Sequence, residues 1–319
     1  MIMKQSSFFS QNYDAKKKTT RKELFLAQME QVVPWNRLLR VLKPYYYSSK
    51  VKAGRPPMAL EKMLRIHLMQ QWYSLADEAM EDALYEIESM RRFADIELNE
   101  DAIPDETTIL KFRRLIEKHQ LADKLFTSIN RHLKQEGLLV SKGTIVDATI
   151  VKAASSTKNK DKSRDPDMHS TRKNGQYYFG MKVHIGTDIN SNVVHSATVT
   201  PANESDIGQL PQLLRKDDEL IMGDAGYVSQ NYKRGSRHLG LSWQVIEKAG
   251  RPKKLSKSRE KKNKQRTSIR SKVEHIFRVM KCQFGYTKAR YKGLEKNRSQ
   301  VMMLLALTNL YTQRKVLMG

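Results

Sequence analysis

At Gly143 the spacing of apolar residues changes, and the change divides the chain into two kinds of structure. Upstream, apolar residues recur every three or four positions, the period of a helix with one buried face. That spacing predicts helices over Arg21–Leu42, Ala59–Tyr73 and Leu75–Phe93. A further helix opens after Pro104-Asp105 and runs through Ile109, Phe112, Leu115 and Ile116, and another covers Ala122–Glu136 and stops at Gly137. Breaks fall at Pro44, at Gly54–Pro57 and around Asn99–Pro104, where Gly and Pro interrupt the period. Downstream, the run TIVDATIV at Thr144–Val151 is dominated by β-branched residues, which favour strands. Tyr177–Thr187 and Val193–Thr200 read as a hairpin closed through Asp188 to Asn192. A short helix over Asp206–Arg215, a strand over Glu219–Met222, a helix over Ser229–Leu239, a strand over Ser242–Ile246 and a helix over Ser268–Phe284 follow. The expectation is a mobile basic arm over residues 1–20, a helical domain over 21–140, and an α/β domain over 141–319 that ends in C-terminal helices.

Charge narrows the choice of partner. In 319 residues, 58 Lys and Arg stand against 34 Asp and Glu, a net charge of +24, and a field of that sign favours a polyanion. The longest apolar run, Val301–Leu307, is far shorter than the roughly 20 residues that span a bilayer. The first residues, MIMKQSSFFSQNYDAKKK, lack the apolar segment of a secretory signal. Cys282 is the single cysteine, which excludes an intrachain disulfide and a cysteine-rich zinc site. The expectation is a cytoplasmic, nucleoid-associated protein with no membrane partner. Asp77–Glu106 holds twelve acids against Arg91 and Arg92 alone, so that stretch is a poor surface for DNA. Short helices joined by tight turns suit either a helix-turn-helix or a plain bundle. The string KAGRP, at Lys52–Pro56 and again at Lys248–Pro252, reads as loop punctuation or as an Arg framed for a narrow minor groove.

Three carboxylates stand out against this background. Asp147 sits in the middle of the β-branched run, where Asp is depleted and a buried charge is costly unless paired or coordinated. An edge strand with a wet face would also accommodate it. Asp224, in Gly223-Asp224-Ala225-Gly226, follows a strand, where ligands meet α/β sheets and where Asp is also a common turn residue. In the helix Ser268–Phe284, at about 100° per residue, Ile269, Val273, Ile276, Phe277, Met280 and Phe284 form a core stripe. Arg270, Glu274, Arg278 and Lys281 form the adjoining one, either a solvated charge ladder or a carboxylate set among phosphate-binding cations. Between the first two acids, Lys152–Gln176 is a long stretch with little apolar content, carrying Lys158, Lys160, Lys162, Arg172 and Lys173. Unstructured loops beyond roughly 12–15 residues are usually functional or disordered, and this one suits phosphate contacts. Asp165, Asp167 and His169 within it read as turn residues. Carboxylates from the ends of separate elements are what two hard cations need to flank a phosphodiester.

The strings TIVDATIVKAASSTKNKDKSRDPDMH, FGMKVHIGTD, GDAGY and RSKVEHIFRVMKCQFGYTKARYKGL resemble the insertion-sequence-five group of bacterial DDE transposases. The helical stretch from GRPPMALEKMLRIHLMQQWY to PDETTILKFRRLIEKH is similar as well, so the likeness covers nearly the whole chain. The resemblance implies an α/β, ribonuclease-H-like catalytic domain with a mixed central sheet flanked by helices, behind an all-helical domain for DNA-end recognition and assembly. It implies strand cleavage and strand transfer with Mg²⁺, for which Mn²⁺ substitutes, on double-stranded DNA at the element's terminal inverted repeats and at the target. By position, the acidic triad falls on Asp147, Asp224 and Glu274. In the related spacing Y-x2-R-x3-E-x6-K, Arg270, Glu274 and Lys281 fit, whereas Thr267 stands in the tyrosine place. Trp243 suits a core strand position or a stack on an extruded base. Two ends held together call for a homodimer or larger assembly on DNA. The alternatives are a host nuclease or integrase of the same fold and an inactive DNA-binding regulator.

Overall fold

The structure is a computed structural model that describes residues 13, 15–46, 57–160, 162–238, 240–247 and 256–319. Most of the basic arm and both copies of KAGRP lie outside the described residues. The helical region begins with α1 (Arg21–Val32), opened by a capping box in which Thr20 and Glu23 each accept the other's backbone amide. Pro34 separates it from α2 (Trp35–Leu42), so the single helix expected over Arg21–Leu42 is two. Next come α3 (Leu60–Tyr73), α4 (Asp77–Glu86), α5 (Glu88–Phe93), α6 (Glu106–Lys118) and α7 (Leu121–Gln135). Ile87 leaves helical geometry and splits the segment Leu75–Phe93. Asp105 caps α6 by accepting from the Thr108 amide at 2.7 Å.

Among the described residues, six strands form one mixed sheet: β1 (Gly143–Lys152), β2 (His169–Lys173), β3 (Gln176–Asp188), β4 (Val194–Pro201), β5 (Leu220–Gly223) and β6 (Ser242–Val245). Its main path runs β4-β3-β1-β5-β6, antiparallel across β4, β3 and β1 and parallel across β1, β5 and β6. That is a ribonuclease-H-like order, with the strand of the first candidate acid at the centre. The stretch Lys152–Gln176 is not one structureless loop. Arg172 and Lys173 lie on β2, which pairs with the first half of β3 through an Asn174-Gly175 turn with φ of 52° and 82°. Two positive φ values are what a two-residue hairpin turn requires. Where β3 passes from β2 to β4, Gly180 is required, because a Cβ there would lie 2.1 Å from the Val151 carbonyl oxygen.

Beyond the sheet lie α8 (Leu210–Leu213), α9 (Gln230–His238), α10 (Lys257–Arg270), α11 (Lys272–Arg278), a π-helical turn over Val279–Gln283, and α12 (Leu294–Leu317). The helix expected over Ser268–Phe284 therefore starts earlier, at Lys257, and bends at Ser271. Val273, Ile276, Phe277, Met280 and Phe284 are buried as the stripe predicts, while Ile269 is exposed. Every residue of α12 from Val301 to Leu310 is buried, since the helix runs through the protein with neighbours on all sides. One continuous apolar core joins Leu26 and Met29 of α1, Ile129 of α7, Val183 and Ile185 of β3, and Leu304 and Leu307 of α12.

Polar ties fix α12 in place. Fully buried Asn309 donates to the Val194 carbonyl at 2.8 Å and to Asn130 Oδ1 at 2.9 Å, and it accepts from the Val194 amide at 2.9 Å. At the helix's start, Asp165 accepts from the Gly293 amide at 2.7 Å and Asp167 from the Leu294 amide at 3.0 Å. Those turn residues thus cap the C-terminal helix and anchor the basic loop to it. Replacing Asn309 with Ala takes the partner from the Val194 amide and from Asn130 Oδ1, at about 1–3 kcal/mol for each group left stranded, while Asn130 still donates to the Val194 carbonyl at 3.0 Å. Urea titration is expected to show a midpoint lowered to match, with the slope unchanged. A loss below about 1 kcal/mol contradicts this role for Asn309.

Candidate active site

Parallel pairing of β1 with β5 sets Val146 beside Gly223, so the next residues, Asp147 still on β1 and Asp224 just past the end of β5, stand at the same level. Asp224 turns back on itself, its Oδ1 accepting from the Gly226 amide at 2.7 Å. Glu274 comes from the first turn of α11, whose buried stripe presses against β1 and the core while its flank faces the strand ends. The three acids line one cleft of about 510 Å³, together with Thr149, Thr171, Arg172, Lys173, Lys182, Asp206 and Arg270.

Their environments differ. Asp147 is buried, with Oδ1 accepting from the Ala148 amide at 2.8 Å and Oδ2 from Arg270 Nη1 at 2.8 Å. Desolvation pushes its carboxyl up to about 6, against the pull of Arg270 and of the Ala148 amide, and the nearby charges of Asp224 and Glu274 push the same way. The Glu274 side chain is 60% exposed and accepts from the other arm of the same guanidinium, Arg270 Nη2, at 2.7 Å. Arg270 therefore forks between two of the acids and supplies the positive charge they share.

The predicted cations separate into groups. Arg172 and Lys173 line the cleft. Lys281 turns inward, donating to Thr149 Oγ1 at 2.7 Å and to the Ile150 carbonyl at 2.9 Å, so it fastens the π turn to β1. Lys158, Lys160, Lys162 and Arg278 are exposed and lie outside the cleft lining. Thr267, in the tyrosine place, donates to the Asn263 carbonyl at 2.9 Å within α10. Trp243 sits on β6 at the sheet edge and stacks on Tyr232 with rings 1° from parallel. Sequence reasoning missed Lys182 and Asp206. Their signal was faint: a Lys inside the apolar run of β3, and an Asp opening a short helix.

Residues 139–310, more than half of the chain, match the family described as Transposase DDE domain, and residues 13–115 match the Transposase domain (DUF772). The chain belongs to the DDE transposases. A solved structure of a piggyBac transposase synaptic complex with hairpin DNA is similar over 92% of this chain and 75% of that one, at 8% identity and a TM-score of 0.47. Like the family, this transposase is a nuclease and transesterase by class. Among its described residues no helix is long and apolar enough to cross a membrane.

DDE transposase domains use divalent metal ions. Among the described residues no three His, Cys, Asp or Glu side chains converge into a ready-made cation cluster. The donor set nevertheless fits a hard ion as such ions bind at phosphoryl sites, where the protein gives one or two carboxylates and water and phosphate complete the shell. Asp147, buried without a full complement of donors, is the carboxylate that gains most from such an ion.

The folded Asp147 carboxyl holds its proton more tightly than an unfolded one, so stability falls as pH rises from 3.8 to about 6. His67 and His195, kept neutral by burial with values near 4, act in the opposite sense, their contribution being lost as pH falls from 6.5 toward 4. Asp147→Asn isolates the first effect. In metal-free protein the variant should become more stable than the parent, by on the order of 2–3 kcal/mol, as pH rises through that window and then hold level. Denaturant titrations at a series of pH values check this, and a gap that ignores pH contradicts it.

Proposed function

We propose that the chain is an insertion-sequence transposase of the insertion-sequence-five type, which binds the terminal inverted repeats of its element and cuts and joins DNA with Mg²⁺, or Mn²⁺ in its place. The observation that carries this reading is the meeting of Asp147 from β1, Asp224 after β5 and Glu274 from α11 on one cleft rimmed by Arg172, Lys173 and Lys182. Ions held by these acids would supply an activated oxygen nucleophile and would neutralise charge at the leaving oxygen.

The chain's own residues do the positioning. Asp147 stands on the central strand, and β1, β3 and β5 leave it little freedom to move. Arg172 and Lys173, on the β2–β3 ribbon, take backbone phosphates beside the scissile bond. Arg270 has two acids as partners and a planar fork that suits phosphate equally well, so it passes from the acids to the DNA backbone as the ions arrive. In this reading residues 21–140 recognise the DNA ends and carry assembly, and residues 141–319 carry catalysis. The exposed Lys158, Lys160, Lys162 and Arg278 meet DNA further from the cut. The net charge of +24 keeps the protein on the nucleoid.

Labelled element-end DNA incubated with protein and Mg²⁺ tests the assignment. Asp147→Ala, Asp224→Ala and Glu274→Ala should each lower cleavage on the order of a thousandfold, the several kcal/mol that metal-borne charge stabilisation supplies. Undiminished cleavage by any of the three removes that residue from the site. Mass photometry with end DNA should show at least two protein copies per complex, and monomers at every concentration would contradict the paired-end arrangement.

A further inference from the structure

Asp206 lines the same cleft as the three acids, and the proposed cutting and joining leaves it without a role. It stands at the entrance to a short 3₁₀ turn, Ile207–Gln209. An Asp in that place ordinarily turns its carboxylate onto the amides that follow, and Asp206 makes no such bond. The side chain reaches into the sheet instead. Oδ1 lies 3.0 Å from Lys182 Nζ and 3.7 Å from His184 Nδ1, both on β3. Oδ2 faces Asp224. A Cβ added to Gly226 would sit 2.9 Å from Asp224 Oδ1 and 3.3 Å from Asp206 Oδ2, so the two oxygens border one small space that the glycine leaves open.

Two carboxylates turned toward a common space repel unless a cation or a donor stands between them. Lys182 pairs with Asp206 at Oδ1 and the Gly226 amide donates to Asp224 Oδ1, while Asp206 Oδ2 has no hydrogen bond among the described residues. A second observation points to the same place. The Tyr227 hydroxyl is buried and has no hydrogen-bond partner, and after its own burial the charges that bear on it most are Asp206, then Asp147, then Asp224. A buried phenol costs stability unless it donates to something. His184 Nδ1, behind Asp206, is also buried without a partner. The two carboxylates thus border a space beside Gly226 that suits a hydrated cation.

We propose that Asp206 is a fourth acid of the reaction centre, a positioning residue that with Asp224 orders the water shell of a divalent cation, into which the Tyr227 phenol also donates. Lys182 pairs with the far oxygen of Asp206 and offsets part of its charge, and Gly226 keeps the space free. The inference rests on the proposed metal site at Asp147 and Asp224 and extends it. Outer partners of this kind typically change metal affinity by about 10–100-fold when removed.

Mn²⁺ binding to the full chain, followed by the electron paramagnetic resonance of free Mn²⁺, separates the possibilities. Asp206→Asn should weaken binding by roughly 10–100-fold. Lys182→Met should leave it at least as strong, because the acid is freed rather than lost. Equal affinity for the parent and a folded Asp206→Asn overturns the proposal, as does a parallel loss in both variants, which is the signature of a purely structural ion pair. Asp147→Ala serves as the reference. If it binds Mn²⁺ like the parent, the underlying metal site fails; if it loses Mn²⁺ while Asp206→Asn does not, only the role of Asp206 fails. Should the Asn variant not fold, Fe²⁺ with ascorbate and peroxide on the unaltered protein reads the same contact. Backbone cutting beside residue 206 as well as beside 147 and 224 is expected, and cutting at the latter two alone overturns the proposal.

Discussion

A carboxylate on the central strand of a sheet, largely out of water, is the constraint that organises this protein. Asp147 has one amide, one arm of Arg270 and little else to compensate its charge, so its proton is held well above the usual carboxylate range. A fold does not keep such a group for stability, since an apolar residue on that strand would pack without penalty. It is tolerable because the neighbourhood offers positive charge from a flexible side chain in the free protein and, in the proposed reaction, from hard ions that the substrate itself helps to coordinate.

Rigid placement of that group comes from distant parts of the chain. α12 runs through the molecule and binds the helical region and the sheet into one core, so the strand carrying Asp147 is braced on elements contributed by both ends of the sequence. Asp165 and Asp167 cap α12 while belonging to the basic loop, which ties the approach of the Arg172 and Lys173 ribbon to the same frame. Lys281 fastens the turn after α11 onto β1, and so sets how far Glu274 stands from Asp147. Positioning and folding therefore share residues.

The order of strands and helices was legible because apolar period and β-branching change sharply at Gly143, and because an Asp inside TIVDATIV contradicts its own surroundings. Boundaries were less so. Ile87 carries no breaker residue, yet α4 and α5 part there, since helix ends are decided by packing. The hairpin within Lys152–Gln176 was announced by Asn174-Gly175 and was obscured by the charge on either side of it. Lys281 shared a helical stripe with Glu274, but a π-helical turn and a pair of acceptors on β1 direct it inward, which no periodicity encodes. Asp206 was hidden for a related reason: its neighbours in space are on β3 and after β5, and its own sequence context is an unremarkable helix start.

The most direct measurement is a crystal of the full chain with element-end DNA and Mn²⁺, in which anomalous scattering locates the ions without reference to any assumed ligand. The account requires Mn²⁺ density in contact with Asp147 and Asp224, with the Arg270 guanidinium drawn off Asp147 toward a phosphate. Density elsewhere in the protein, or an Arg270 still bonded to Asp147 beside a bound phosphodiester with no ion present, would contradict it.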